Sequence, residues 1–363
     1  MNFIDLQEQY RRYQQEIDAA VGQVMEKASF IKGPFLQQFE SELSAHCGAK
    51  HAIGCSSGTD ALLLGLMVKD VKPGDEILVP DFTFIATAEM VSFIGAVPVF
   101  VDVQEDTLNI DPEKLEEKIT KKTVGIIPVS LYGQCADMDE INSIAEKHGL
   151  WVMEDAAQSY GAIYKGKKSC TVSELATTSF FPAKPLGCYG DGGAVFTNDD
   201  ETADKLRVLL NHGQTKRYHH SIIGMNGRLD GLQAAVLSVK LKHFDEEMEA
   251  KQKVAAMYTE KLQDAVETPV VRDYNSSVWA QYTVRHPERD RVTAALKEKG
   301  IPTAVHYPIP LHKQEAFAGL GNRDEDFPVS VKASSEVFSL PMHPFLTEEE
   351  ITLICDSIEE AVR

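Results

Sequence analysis

Short apolar runs alternate with amphipathic stretches between residue 50 and about residue 200. The apolar runs are candidate strands: His51–Cys55, Glu76–Val79, Val97–Val101, Val124–Val129, Trp151–Met153, Thr177–Phe180 and Ala194–Thr197. The stretches between them are long enough for short helices and carry polar residues on one side: Asp60–Lys69, Thr87–Ile94, Pro112–Ile119 and Met138–His148. This alternation predicts an α/β domain with a mostly parallel sheet covered on both faces.

The pattern changes towards the C-terminus. A long helical region, a strand and a helix follow one another: Leu229–Ala265, Val278–Arg285 and Arg289–Lys299. The last helix has a clear start, because Thr347 followed three residues later by Glu350 forms a capping-box pattern. We therefore expect a smaller C-terminal α+β domain, with residues 1–245 in the large domain and residues 246–363 in the small one.

The composition excludes some classes of function. Lys and Arg number 36 against 55 Asp and Glu, a formal charge of −19, and the pI is near 5.0. Such a chain has no broad basic surface to neutralise a nucleic-acid backbone or an anionic membrane. The N-terminus shows no apolar run of signal-peptide length, and no segment reaches the ~18 apolar residues of a membrane span. We expect a cytoplasmic protein that binds neither nucleic acid nor membrane.

The cysteines and histidines give no sign of a disulfide framework or a metal site. The six cysteines include no C-x-x-C pair, so we expect reduced thiols. His51 and Cys55 lie close in sequence to His46 and Cys47, but on a strand residues four apart are separated by about 13 Å. Zinc ligands lie within roughly 2.3 Å of the metal. We therefore expect no metal.

Two segments carry polar groups suited to binding a charged ligand. Ser56–Asp60 follows a candidate strand and opens a candidate helix, so its free backbone N–H groups suit a phosphate, although the same residues are good helix N-caps. The strand from Trp151 runs into Glu154 and Asp155, at the edge where open α/β sheets bind ligands. A cationic ring nitrogen would pair with such an acid, and an N-cap or surface acid is the alternative interpretation.

A third segment carries a lysine between two prolines. Lys184 lies between Pro182 and Pro185, after a hydrophobic strand and before the glycine-rich turn at 190–193. With an ordinary pKa near 10.4 its amine needs a special site to act as a nucleophile, so a surface lysine is the simpler interpretation of this segment alone. Together, however, the three segments supply the phosphate cradle, carboxylate and amine that pyridoxal 5'-phosphate requires.

The chain resembles the DegT/DnrJ/EryC1/StrS family of sugar aminotransferases. The similarity runs from FIDLQEQY near the start to SLPMHPFLTEEE near the end, and it is carried between them by five strings: SLYGQCADMD, EDAAQSYGA, TSFFPAKPLGCYGDGGA, HGQTKRYHH and TAVHYPIPLHKQ. The resemblance implies a pyridoxal-phosphate-dependent transferase of fold type I, like aspartate aminotransferase. The resemblance implies the same cofactor, pyridoxal phosphate, that the three segments suggest.

The resemblance also implies a role for each matching residue. Lys184 would hold the cofactor covalently and later move a proton between the amino-acid carbon and the cofactor carbon. Asp155 would pair with the pyridinium nitrogen, and Gln158 would bond the ring hydroxyl. Phe84 would stack on the ring, with core packing as the alternative. The phosphate ligands would be Gly58, Thr59 and Ser179.

Other matching residues concern the substrate and a second subunit. Asn226 and Arg228 match a loop that reaches the partner subunit's site, where Asn226 would touch the cofactor phosphate and Arg228 a substrate anion; an ordinary loop is the alternative. A homodimer with shared active sites follows. His306 and Tyr307 match the segment that lines the sugar pocket. Nearby cations are candidates for the diphosphate and uronate: Lys216, Arg217, His219, His220, His312 and Lys313.

The expected reaction is transfer of an amino group from L-glutamate to a nucleotide-linked ketosugar, at C3 of UDP-2-acetamido-2-deoxy-3-oxo-glucuronate, for cell-surface polysaccharide biosynthesis. A 4-keto or neutral deoxysugar nucleotide is an alternative substrate. A non-catalytic regulator that senses pyridoxal phosphate or a sugar nucleotide is an alternative of another class. A sugar dehydratase is disfavoured, because the dehydratases of this family carry histidine at the position of Lys184.

Overall fold

A single sheet dominates the computed structural model, which describes residues 1–363. The strands of the N-terminal two thirds are β1 (His51–Cys55), β2 (Glu76–Pro80), β3 (Val97–Val101), β4 (Thr123–Ile126), β5 (Trp151–Asp155), β6 (Ile163–Tyr164), β7 (Lys167–Lys168), β8 (Leu175–Ser179) and β9 (Gly193–Thr197). Seven of them form the sheet in the order β1-β9-β8-β5-β4-β2-β3. Strands β3, β2, β4, β5 and β8 are parallel, whereas β9 is antiparallel to β8 and β1. The prediction of a mostly parallel sheet is confirmed.

Helices cover both faces of this sheet. They are α1 (Leu6–Glu26), α2 (Pro34–Cys47), α3 (Gly58–Val68), α4 (Ala86–Phe93), α5 (Met138–His148), α6 (Asp200–Leu209) and α7 (Gly231–Leu262). Neighbouring strand residues enter different cores: Ala52 and Leu78 pack with α2, α5 and α7, while Ile53 and Ile77 pack with α3, α4 and α6. The near-continuous apolar runs of the sequence are therefore strands buried on both faces.

The C-terminal part has its own core. Its elements, with two small ones before it, are β10 (Gln214–Lys216), β11 (His219–His220), β12 (Asn275–Ser276), β13 (Tyr282–Arg285), α8 (Arg289–Glu298), α9 (Pro328–Glu336), β14 (Val337–Leu340) and α10 (Glu348–Val362). β13 pairs antiparallel with β14, and α8 and α10 pack beside them. Thr347 and Glu350 form the predicted capping box at the start of α10.

Helix α7 passes from one core to the next without a break. Its residues Ala234, Leu237 and Leu241 belong to a core of the large sheet, whereas Tyr258 and Leu262 belong to the C-terminal core. The helix crosses residue 245, where the domain boundary was predicted. The division into residues 1–245 and 246–363 stays a prediction.

The predicted helix Pro112–Ile119 is wrong. The segment forms two 3-10 turns, at 112–114 and 116–118. Leu115 enters the core and Ile119 packs at its edge, which leaves an apolar stripe too narrow to stabilise a short α-helix.

Two predicted strands differ from the observed ones by three or more residues at one end. The strand expected to run to Val129 ends at Ile126, and Pro128 has no N–H for a ladder bond. The strand expected from Val278 begins at Tyr282, because Trp279 has φ of +49° and leaves the extended conformation.

No helix combines the length and apolar character needed to cross a membrane. No three His, Cys, Asp or Glu side chains are grouped so as to hold a metal ion.

Candidate active site

The predicted site residues lie at the carboxyl ends of the parallel strands. Asp155 is the last residue of β5, Ser179 is the last residue of β8, and Phe84 is in the loop after β2. Strands β5 and β8 are direct neighbours. Because the carboxyl ends of parallel strands share one edge of the sheet, where open α/β folds bind ligands, the topology gathers three distant segments in one place.

Asp155 is a buried carboxylate with two donors. Thr87 Oγ1 donates to Oδ2 at 2.8 Å, and the Ala157 N–H donates to Oδ1 at 3.1 Å. Burial raises the pKa of the Asp155 carboxyl, while these hydrogen bonds and the charge of Lys184 act in the opposite direction. An unpaired buried charge is costly, so this carboxylate favours a cationic partner. A protonated ring nitrogen meets that requirement.

Lys184 lies in the turn after β8. Its backbone N–H donates to the Phe181 carbonyl at 2.8 Å, which fixes the turn, and its side chain is half-buried. Burial lowers the pKa of the Lys184 amine, and the negative charge of Asp155 opposes this shift. A lowered pKa increases the neutral fraction of the amine, which is the form that attacks a carbonyl carbon and accepts a proton.

The start of α3 forms a tight turn against the end of β8. A Cβ on Gly58 would lie 2.5 Å from Ser179 Cβ, so only glycine lets the two segments approach this closely. Ser57 Oγ caps the helix by accepting from the Asp60 N–H at 3.0 Å, and Thr59 is half-buried in the first turn. The helix N-terminus and the Ser179 hydroxyl therefore lie side by side, as an anion site requires.

Phe84 is the exposed wall of the site. Its side chain is 54% exposed, which core packing does not explain. Its ring centroid lies 6.1 Å from that of Tyr307. Gln158 Nε2 donates to the Tyr307 hydroxyl at 3.1 Å, and Gln158 Oε1 accepts from the Tyr132 N–H at 2.8 Å. The structure thus brings Phe84, Gln158 and Tyr307 together and leaves the Phe84 ring exposed.

His306 lies on the same wall and is affected by Lys184. Burial lowers the pKa of His306, and the positive charge of Lys184 lowers it further. Its Nδ1 lies 2.9 Å from Ser339 Oγ, and its carbonyl accepts from the Tyr132 hydroxyl. His306 is therefore a neutral group near the amine rather than a second cation.

Two residues that hold this site together were not predicted from the sequence. Thr87 supplies the hydroxyl that bonds Asp155, and Tyr132 bonds both Gln158 and His306. Thr87 lies in the first turn of α4, so a hydroxyl three residues after Phe84 was an available signal. Tyr132 has φ of +57°, a backbone feature that its sequence context does not indicate.

Asn226 and Arg228 make no hydrogen bond to Lys184, Asp155 or Gln158 of their own chain. The Gly227 carbonyl accepts from the Ser56 N–H at 3.0 Å, and Arg228 Nη1 donates to Asn211 Oδ1 at 3.0 Å. Arg228 lines a cavity of about 570 Å³, and its buried Nε has no partner within the chain. Their contribution to a partner subunit's site stays a prediction.

The six candidate cations divide into two groups. Lys216, Arg217, His219 and His220 are exposed on the β10–β11 hairpin. The prediction for His312 is wrong, because its side chain is buried and bonded to Asp81 rather than open to a substrate. Lys313 is paired with Asp324 at 2.7 Å.

Comparison with known proteins places the chain in a family. A profile described as the DegT/DnrJ/EryC1/StrS aminotransferase family matches residues 11–359. The chain belongs to this family. Its members use pyridoxal phosphate, so the chain is a pyridoxal-phosphate-dependent aminotransferase, as the sequence predicted.

Three family members show the degree of similarity. The UDP-2-acetamido-2-deoxy-3-oxo-D-glucuronate aminotransferase of Pseudomonas aeruginosa is 53% identical over 359 residues, 99% of each chain. A protein of Geobacillus stearothermophilus named pleiotropic regulatory protein is 48% identical, with 99% of this chain and 98% of that protein covered. DesV of S. venezuelae, solved in complex with a ketimine intermediate, matches with a TM-score of 0.98 and 40% identity over 100% of this chain and 98% of that chain.

The residues of the site fit the family's cofactor. Asp155 supplies a buried negative charge that needs a cation, Phe84 supplies an open aromatic face, and the Gly58 turn supplies free N–H groups beside Ser179. Lys184 supplies an amine near the Asp155 charge. These groups match the ring nitrogen, ring face, phosphate and aldehyde of pyridoxal phosphate in turn.

The environment of Asp155 predicts a pH-dependent stability. Folding raises the pKa of Asp155, so the folded apoenzyme binds this proton more tightly than the unfolded chain, and the stability from Asp155 falls as the pH rises above about 4. Asp155→Asn removes this penalty. We expect the variant to gain stability relative to wild type between about pH 4 and pH 7, measured by urea unfolding of both apoenzymes.

Asp199→Asn is a matched control with the opposite sign. Asp199 caps α6 by accepting from the Thr202 N–H at 2.7 Å, and this bond lowers the pKa of Asp199. Its stabilisation is fully present above the unfolded pKa of about 4 and is lost as the pH falls below it, so the variant should be less stable than wild type by a constant amount above about pH 4 and by a shrinking amount below it. The same trend in both variants would contradict the buried setting of Asp155.

The covalent partner of the cofactor can be identified by chemical trapping. Borohydride reduction of the loaded enzyme followed by peptide mapping should place the pyridoxyl label on Lys184. The test is selective, because burial also lowers the pKa of Lys240 and of Lys251 to about 8, and these amines compete for an aldehyde. Label on either of them, and none on Lys184, would remove Lys184 from the catalytic role.

Proposed function

We propose that the chain transfers an amino group from L-glutamate to C3 of UDP-2-acetamido-2-deoxy-3-oxo-glucuronate. The proposal rests on the 53% identity with the Pseudomonas aeruginosa aminotransferase over 99% of both chains. The arrangement of Lys184 beside the buried Asp155 supports the aminotransferase chemistry. The product would serve cell-surface polysaccharide synthesis, including lipopolysaccharide or O-antigen, in the cytoplasm.

Each site residue has a proposed task in holding the cofactor. Asp155 holds the proton on the ring nitrogen, and Thr87 and Ala157 keep the carboxylate aimed. Phe84 covers one ring face, and Gln158 bonds the ring hydroxyl. The phosphate would be held by Gly58, Thr59 and Ser179, together with Asn226 of the second subunit. Pyridoxal phosphate, when bound, supplies an aldehyde that condenses with amines and a ring that withdraws electrons from the adjacent carbon.

Lys184 carries the proton transfers in both halves of the reaction. While neutral and free, its amine accepts the proton from the α-carbon of glutamate and returns it to the cofactor carbon. In the second half the same amine would move the proton in the reverse sense, onto the sugar carbon that receives the amino group from the cofactor. Burial favours the neutral amine that this task needs, since it lowers the pKa of Lys184.

The proposed enzyme is a homodimer with shared sites. Asn226 and Arg228 lie on a segment held to the Ser56 turn rather than to the Lys184 cluster of the same chain. Arg228 lines a cavity and bonds Asn211 through Nη1 alone, which leaves other N–H groups of its guanidinium for an anion from outside the chain. In this arrangement Arg228 binds the uronate carboxylate in the other subunit's site, and His306 and Tyr307 line the sugar pocket.

Three alternatives are weaker. A 4-keto or neutral deoxysugar substrate would leave the remaining N–H groups of Arg228 without a carboxylate to bind. A purely regulatory role draws on the name of the Geobacillus stearothermophilus relative, but a lysine whose pKa is lowered by burial suits proton transfer as well as cofactor binding, and a sensor needs only the binding. Lys184 also argues against the dehydratase reaction.

A panel of nucleotide ketosugars tests the substrate. The enzyme is incubated with glutamate and, separately, with 3-keto uronate, neutral 3-keto and 4-keto sugar nucleotides, and the new amine is located by mass spectrometry and NMR. We expect amination at C3 of the uronate with the highest kcat/KM. Preferred turnover of a 4-keto sugar would replace the proposed substrate, and a cofactor absorbance that glutamate leaves unchanged would favour the sensor.

Arg228→Ala tests the contact with the uronate. Removing a charge-assisted hydrogen bond should lower kcat/KM for the 3-keto uronate by about 10- to 100-fold, and far less for its uncharged 3-keto analogue. Arg207→Ala is the control, since Arg207 lines the same cavity but lies 3.7 Å from Glu40 and has a partner already. Equal losses for the two sugars in Arg228→Ala would remove the carboxylate from the assignment.

A further inference from the structure

One segment of the chain links the C-terminal core to the large sheet and carries two site residues on the way. This crossing segment, residues 304–313, starts at Ala304, which exchanges two backbone hydrogen bonds with Ser339 of β14, at 3.2 and 2.7 Å. Near its other end, Leu311 belongs to a core of the large sheet. His306 and Tyr307 lie between these two anchors, so their positions depend on both.

The anchor in the large sheet is a set of three hydrogen bonds to Asp81. The Leu311 N–H donates to the Asp81 carbonyl at 2.8 Å, the His312 N–H donates to Oδ1 at 2.8 Å, and His312 Nδ1 lies 2.7 Å from Oδ2. Both side chains are fully buried. The backbone carbonyl and both carboxylate oxygens of Asp81 therefore have hydrogen-bond partners in the crossing segment. We call these contacts the Asp81–His312 clamp.

Each ring nitrogen of His312 faces a carboxylate oxygen, because His312 Nε2 lies 3.1 Å from Asp324 Oδ1. A protonated imidazole donates to both carboxylates. Burial acts to lower the pKa of His312, but Asp81 and Asp324 outweigh it and the pKa is raised. The ring also stacks on Phe327, with centroids 4.7 Å apart. Lys313 neutralises Asp324 from the solvent side.

Asp81 lies at the start of the loop that presents Phe84. Phe82 and Phe84 follow it directly, and the Tyr307 ring lies 6.3 Å from Phe82 and 6.1 Å from Phe84. The clamp therefore connects the loop that carries Phe84 to the segment that carries His306 and Tyr307. A shift of Asp81 relative to His312 would change the gap between Phe84 and Tyr307.

We propose that Asp81 and His312 are a positioning pair that sets the distance between the Phe84 face, where the cofactor ring binds, and the His306–Tyr307 wall, where the sugar binds. This inference rests on the proposed function of those residues. Neither member of the pair touches substrate. A loosened clamp lets the sugar wall move while Phe84 stays attached to β2, so the sugar half of the reaction suffers more than the glutamate half.

Two polar variants of His312 separate the inner bond from the outer one. In His312→Asn the amide nitrogen takes the place of Nδ1 and keeps the donor to Asp81. In His312→Gln it takes the place of Nε2, so the bond to Asp81 is lost and the one to Asp324 is kept. Both variants lose the charge and keep the backbone bonds, which makes them controls for each other. Asp324→Asn removes only the partly exposed outer charge.

Hydrogen–deuterium exchange of the cofactor-loaded enzyme gives a readout that does not depend on activity. We expect faster exchange of amides in residues 303–313 and 81–85 in His312→Gln, and protection close to wild type in His312→Asn and Asp324→Asn. The kinetic readout should follow the same order. A displacement of about 1 Å is enough for a 10- to 100-fold loss, so kcat/KM for the ketosugar should fall by about that factor in His312→Gln, with the glutamate half-reaction within about threefold of wild type.

The outcomes are distinct. Equal behaviour of His312→Asn and His312→Gln, in exchange and in sugar kcat/KM, overturns the positioning role. Parallel losses in both half-reactions together with a lowered unfolding midpoint show a merely structural pair and also overturn it. A wild type that aminates no nucleotide ketosugar overturns the proposed function instead, and the exchange pattern of the two variants still decides whether the clamp holds the crossing segment.

Discussion

The structure depends on a buried negative charge at the edge of a parallel sheet. Asp155 ends a strand that is covered on both faces, so water cannot solvate its carboxylate freely. Two hydrogen bonds, from Thr87 and Ala157, replace part of the hydration that the carboxylate loses. A nearby cation would stabilise the remaining charge. The same charge acts on Lys184. One carboxylate therefore sets the affinity of the site for a protonated ring and limits the fall in the pKa of Lys184 that burial causes.

The remaining parts of the site are arranged around that charge by backbone geometry. The missing side chain of Gly58 lets the start of α3 approach Ser179, which brings a helix N-terminus to the end of the neighbouring strand. The exposed Phe84 and the bonded pair Gln158 and Tyr307 border the opposite side. An anion site, a cation site and an aromatic face then lie within one small region, which is the pattern of a phosphorylated pyridine. The family of the chain agrees with this reading of the geometry.

The sheet and the candidate residues of the site could be predicted from the sequence, whereas one helix and the long-range contacts that hold the site could not. Buried parallel strands are continuous apolar runs, so β1, β3 and β5 were found close to their observed places. Lys184 and Asp155 were singled out by the combination of three segments and by the family resemblance, and the structure places both near one edge of the sheet, while their roles stay predictions. Helix Pro112–Ile119 was mispredicted, since local polarity does not show how little of it is buried. His312 was misplaced for another reason: its partner Asp81 is 231 residues away, and such a contact leaves no local pattern.

Helix α7 has a mechanical consequence. Its 32 residues form a rod of about 48 Å whose first half is embedded beside the large sheet and whose second half is embedded in the C-terminal core. Because this helix is continuous and packed at both ends, it provides no flexible hinge between the two halves of the chain. Access of a bulky nucleotide to the Lys184 amine then depends on the short connecting loops around the site rather than on a wide opening of one half away from the other.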